Sequence, residues 1–361
     1  MSTESNNGRR LRSISDAIRT GVRLKPVVVA VFAVTGLLSL AGFASQSIID
    51  DRQRSPNDMT DAAIDRFWAV FHGNDYSAIS SVQRQLDAAI QANPDNPTLH
   101  ALLGATHFWH LGEASRDSIP DDPVLAQDMS DAVDAFDQAL KLDYYTPHPI
   151  GYINDDHLPG YLGITSVHLG QQNHDSALIG KGNQILDFAV YQFPEFNNFN
   201  RWAAHLTDAK ESAGYKEGLD SLWQAIDNCV GGTISRNNPD VGPYLSLATS
   251  VGRKKACWWE SNIAPYAFEG IMLNLGNGLI KAGQVPQAKI IFANARYAKN
   301  YETWPYRQYL EQLASSNLYA RSAMYRDDPL TDPPLTVPNR SCSYCHATVP
   351  ERDGSQSNAR R

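Results

Sequence analysis

The sequence predicts an all-α protein: an α-solenoid of helix-turn-helix repeats, preceded by one N-terminal membrane segment and followed by a Pro-rich tail. Three observations predict it. A Leu-Gly pair recurs along the chain with Ala, Phe and Ala at fixed spacings behind it, which is self-similarity on the scale of a helix pair. Further segments, 198–225 and 302–325, carry apolar residues at helical period. The N-terminus sets a basic stretch in front of a long uncharged run.

The N-terminal element comes first. Residues 1–25 hold Arg9, Arg10, Arg12, Arg19, Arg23 and Lys25 against Glu4 and Asp16, and PVVVAVFAVTGLLSLAGFA follows over 26–44 without a charge. An uncharged run of this length is at the lower limit for a helix that crosses a hydrocarbon core, and the basic flank is held in the cytoplasm. The expectation is a basic cytoplasmic segment (1–25) and a transmembrane signal anchor or signal peptide (26–44), in a bacterial inner membrane with the rest of the chain in the periplasm. Gly42-Phe43-Ala44 offers small residues where a signal peptidase would cut, so release into the periplasm is the alternative.

The repeats occupy 60–325. Behind the aromatic helix around Phe67, Val82, Leu86 and Ala89 recur at spacings of four and three, and Pro94 closes the unit. Leu103-Gly104 open the second unit, whose Ala132, Phe136 and Ala139 come 16 residues late, an insertion within GEASRDSIPDDPVLAQDMS. Leu162-Gly163 with Ala177 form a blurred copy. In the clearest copy Leu275-Gly276 are followed by Ala288, Phe292 and Ala295, 12, 16 and 19 residues after the glycine. This pattern resembles the tetratricopeptide repeat, a 34-residue helix-turn-helix unit in which small residues let the second helix close on the first. The resemblance implies a concave groove that holds a protein partner, with Thr98, Ala101, Ala105 and Phe108 facing it in the second unit. It implies no activity.

Charge and side-chain chemistry narrow the rest. A net charge of −8, with no clustered Lys and Arg after the leader, argues against a nucleic-acid partner. His100, His107 and His110 could share one helical face, where they either substitute for packing aromatics or hold a metal. His148, His157, His168 and His174 fall in and after YYTPHPIGYINDDHLPGY, whose Pro, Gly and Asp content reads as loop. Cys229 and Cys257 flank a segment rich in Gly, Asn and Pro, and outside the cytoplasm they are expected to pair; buried free thiols are the alternative. No Ser/His/Asp order, phosphate loop or H-E-x-x-H is present.

The remaining cysteines carry the most specific signal. In SCSYCHATVP, Cys342, Cys345 and His346 have the C-x-x-C-H spacing of a c-type haem attachment site: the thiols form thioethers with the haem vinyl groups, and the adjacent imidazole takes the iron. A Cys342–Cys345 disulfide and a zinc site short of a fourth ligand are the competing readings. Residues 326–361, with Pro329, Pro333, Pro334 and Pro338, read as a Pro-rich linker and haem-attachment tail. No Met follows His346, so a second axial ligand would come from the solenoid, with His148, His157 and Met324 as candidates, or the iron would stay open. The leading expectation is a membrane-anchored scaffold that carries one covalent haem c, with His346 as metal ligand, and exchanges electrons with a protein partner. A non-redox interaction scaffold is the alternative, and a haem enzyme ranks last because no acid, base or substrate cavity is legible.

Overall fold

The computed structural model describes residues 55–73, 75–114, 123–143, 157–247, 264–327, 332–333, 335 and 343–347. The segment 26–44, His148, Cys257 and Cys342 lie outside the described residues. Among those described there are helices and no strands, and no helix is long and apolar enough to cross a membrane.

The helices are α1 (Pro56–His72), α2 (Ile79–Ala92), α3 (Pro97–Ala114), α4 (Pro123–Asp143), α5 (Leu158–Gln172), α6 (Ser176–Gln192), α7 (Pro194–His205), α8 (Ala213–Val230), α9 (Ala267–Lys281), α10 (Val285–Asn294), α11 (Arg307–Ser315), α12 (Leu318–Met324) and α13 (Ser343–His346). They pack as consecutive pairs: α1 on α2, α3 on α4, α5 on α6, α7 on α8 and α9 on α10. The first helix of each of the first four pairs also meets the first helix of a neighbouring pair, as α1 does α3, α3 does α5 and α5 does α7. This is the connectivity of an α-solenoid.

The recurring glycines show why the pattern exists. At Gly104 an added methyl would lie 2.8 Å from the Phe136 ring, and at Gly276 it would overlap the ring of Phe292. A first helix with glycine at this place lets the aromatic residue of the second helix touch its backbone. Around these contacts Ala132, Phe136, Ala139, Ala288, Phe292 and Ala295 are buried. The blurred third unit keeps the contact but changes its partner, Gly163 facing Leu186 at 2.7 Å, while Gly182 answers from α6 against Val167.

Two local expectations are revised. The insertion in the second unit is partly helical, since α3 runs on to Ala114 and α4 starts at Pro123, so 115–122 alone separates them. The Pro-Gly stretch read as loop ends earlier than its composition suggests. α5 begins at Leu158 with Pro159 in its first turn, where the missing amide hydrogen costs no bond. Gly160 follows because Asn197 and Asn200 of α7 occupy the space a side chain would need.

Candidate functional site

The motif helix α13 is a single turn seated on two helices that are far apart in sequence, α9 and α1. A turn this short has carbonyls with no partner of their own. Other elements supply the donors: Trp304 Nε1 donates to the Tyr344 carbonyl at 2.8 Å and the Tyr266 amide to the Cys345 carbonyl at 3.0 Å. Tyr344 and Ala347 are buried, while Cys345 and His346 are half-buried. Gly270 of α9 lies directly beneath Cys345, and a methyl there would overlap Sγ.

The opposite wall is aromatic. The Phe71 ring of α1 lies 4.9 Å from the His346 imidazole, and Trp109 of α3 meets Phe71 edge-on at 5.0 Å. Trp68 packs on Phe71 at 6.0 Å and on His72 at 5.3 Å. α1 is fixed for this task at its start. Ser55 and Asp58 form a reciprocal capping box and Pro56 opens the helix, while Thr60, Ala63, Phe67 and Val70 make its buried stripe. Trp109 is 1% exposed, and its indole N–H has no acceptor among the described residues.

α9 is buried along its whole length, so its polar residues must be used. Asn277 donates to the Leu335 carbonyl at 2.9 Å, two turns from Gly270. The described tail residues therefore touch one side of α9 at Asn277 and again at Gly270. The start of the tail is also held, with Lys210 Nζ donating to the Tyr325 carbonyl and the Lys210 amide to Asp327. Tyr325, Leu335, Tyr344 and Ala347 share one apolar core with α8, α9 and α10.

Glu269 is the exception on α9. It is 0% exposed, and neither carboxylate oxygen has a hydrogen-bond partner among the described residues. Burial pushes its pKa up to about 8. Tyr266, one turn earlier, is also raised, chiefly by burial, with the Thr303 hydrogen bond opposing and the charge of Glu269 adding to the rise.

Of the sequence-predicted site residues, Cys345 and His346 stand together on α13, and Cys345 keeps its thiol. Cys229 is in a disulfide whose second sulfur lies outside the described residues, where both Cys257 and Cys342 lie. His107 and His110 do converge, each placing Nδ1 on a different oxygen of Asp128 at 2.7 and 2.5 Å. Burial raises Asp128, and the two imidazoles outweigh it, so the carboxylate stays below its ordinary range. His100 does not join them but meets the Pro94 carbonyl at 2.8 Å. Among the described residues no group of three His, Cys, Asp or Glu is placed to hold a metal ion. His157 packs on Phe193 and Phe196, and Met324 is 54% exposed. In the expected groove Ala101 is buried and Thr98, Ala105 and Phe108 are half-buried, the last facing Tyr161 at 6.2 Å.

Sequence reasoning missed Phe71, His72, Trp109, Glu269 and Gly270. The signal available for the wall was the aromatic run FWAVF, which reads equally as helix packing. Comparison with protein-family models, with curated proteins and with solved structures finds no match.

Proposed function

We propose that this chain is an exported, membrane-anchored redox scaffold: a tetratricopeptide-like solenoid that carries one covalent haem c on Cys342, Cys345 and His346 and exchanges electrons with a protein partner in the periplasm. The observation that carries the reading is the C-x-x-C-H spacing, with Cys345 and His346 on one helical turn against an aromatic wall. The chemistry of the donor set fits: a thiol, then an imidazole on the next residue. The buried Trp109 N–H beside the aromatic wall is a donor of the kind a haem propionate accepts. Bound haem would supply one-electron transfer. The chain's own contribution is to hold the motif turn by its two carbonyls and to shield one side of it from water with Phe71, Trp68 and Trp109. The disulfide at Cys229 supports an oxidising compartment.

Cys345 keeps its thiol, so the Cys342–Cys345 disulfide expected for a non-redox scaffold is not formed, and the disulfide at Cys229 leaves that scaffold reading a different bridge. Haem attachment needs Cys342 as a thiol, so the redox reading requires Cys229 to pair with Cys257. A Cys229–Cys342 bridge would instead staple the tail to α8 and leave a non-redox interaction scaffold. The test is a haem stain of the denatured protein and a pyridine haemochrome spectrum, after expression in a host with c-type maturation. Covalent haem that disappears in the Cys342→Ala/Cys345→Ala variant is the expected result. A haem-free chain, from a host shown to mature another cytochrome, would leave the scaffold reading.

A further inference from the structure

We infer that α13 is a clasp between two halves of the molecule, and that the halves part where α13 meets α1. The buried apolar side chains divide into two large cores, one running from Ala63 to Ile185 and one from Trp202 to Ala347. Close-packed cores move as bodies and give way at the joins between them. One join follows the chain, where α5 and α6 meet α7. Ile164, Val167, Leu186 and Ala204 make a small separate cluster there. Polar contacts surround it: His205 Nε2 lies 3.1 Å from Asn183 Oδ1, Gln171 donates to Asp208 at 3.1 Å, and Arg201 pairs with Asp187. A join of this kind can turn without emptying either large core.

The other join is α13, which packs on α9 in the second core and on α1 in the first. Its grip on the two is unequal. On the α9 side Tyr344 and Ala347 are buried in the second core, and the Tyr344 and Cys345 carbonyls accept from Trp304 and from the Tyr266 amide. On the α1 side the half-buried His346 imidazole meets the half-buried Phe71 ring at 4.9 Å. Parting at α1 therefore breaks less than pulling α13 from α9. It would bare His346 beside Cys345, and Phe71 with Trp68 and Trp109 behind it, and closure covers both faces. The clasp thus sets when the motif turn is open to a protein partner. It uses no cofactor, so it goes beyond the haem reading and does not depend on it.

The experiment uses the full-length chain as purified, with whatever cofactor it carries. In rising sub-denaturing urea, hydrogen–deuterium exchange of the wild type should quicken in residues 67–72 before it does at Tyr266. Phe71→Ala should show that opening without urea: several-fold faster exchange in 67–72, Tyr266 unchanged and the helical circular dichroism kept. Phe71→Leu should do the same more weakly. Nitroxides on ketone side chains placed at the exposed Arg84 of α2 and Gln312 of α11 leave the cysteines alone. Their distance distribution should lengthen or broaden in Phe71→Ala. A wild type in which 67–72 and Tyr266 open together, only on global unfolding, overturns the inference without any variant. Phe71→Ala at the wild-type distance overturns it as well. So does a Phe71→Ala chain that exchanges as fast at Tyr266 as in 67–72 or loses its helices, because the contact would then belong to one continuous core.

Discussion

Glu269→Gln isolates the buried carboxyl beside the motif. In the unfolded chain the group ionises near its ordinary 4.5, and in the folded protein burial holds it neutral up to about 8. The sign follows from proton binding: between these values the folded state keeps a proton that the unfolded state has lost. Stability is therefore fully present below 4.5, falls as pH rises, and has lost its whole contribution above 8. At about 1.4 kcal/mol per pH unit, the interval corresponds to roughly 5 kcal/mol in all, and to about 3.4 kcal/mol of it by pH 7. Glutamine keeps the shape and does not titrate. Its buried amide shifts stability by a similar amount at every pH, so the slope carries the result and the offset does not. Guanidinium unfolding of both proteins, followed by tryptophan fluorescence at pH 5, 6, 7 and 8, should show the variant gaining on the wild type by about 1.4 kcal/mol per unit. Parallel pH profiles would refute the reasoning and mean that the carboxyl finds a partner or water.

Three further outcomes are expected. Gly276→Ala should destabilise by about 1–3 kcal/mol in denaturant unfolding, because its methyl overlaps Phe292, and Phe292→Leu in the same chain should recover part of that loss. Asp128→Asn should cost about 1.5–3 kcal/mol at pH 7, since it removes the charge that two histidines share. That cost should shrink as pH falls below about 4, because a depressed carboxylate contributes stability above its unfolded pKa and loses it only when protonated. Non-reducing peptide mapping of the mature protein should join Cys229 to Cys257, and a Cys229–Cys342 peptide would exclude haem attachment at the motif.

How much of this was legible in the sequence can be followed at particular residues. The Leu-Gly pairs and their Ala-Phe-Ala followers were readable because they encode contacts within one helix pair. Gly104 with Phe136 and Gly276 with Phe292 meet as that spacing implies. That Cys345 and His346 stand together on one turn was legible because it depends on adjacency alone. The surroundings were not. Phe71 meets His346 and Gly270 meets Cys345 through the closing of the whole array, and no periodicity records which distant helices a tail will touch. Gly270 looks in sequence like any helix glycine. Glu269 reads as a first-turn acid that favours a helix N-terminus, and only its surroundings reveal a carboxyl shut off from the surface.

The seat of α13 between α1 and α9 also orders events in time. Each helix pair closes over a few dozen residues, so the pairs can form early and locally. The contact of Phe71 with His346 joins the first described helix to the last, and a loop that long closes late. A thiol pressed against Gly270 is poorly reached by any enzyme that must add haem to it. On the haem reading proposed above, attachment would precede docking, in the interval when the helix pairs stand and the motif turn has not yet seated, and docking afterwards would shut the cofactor in.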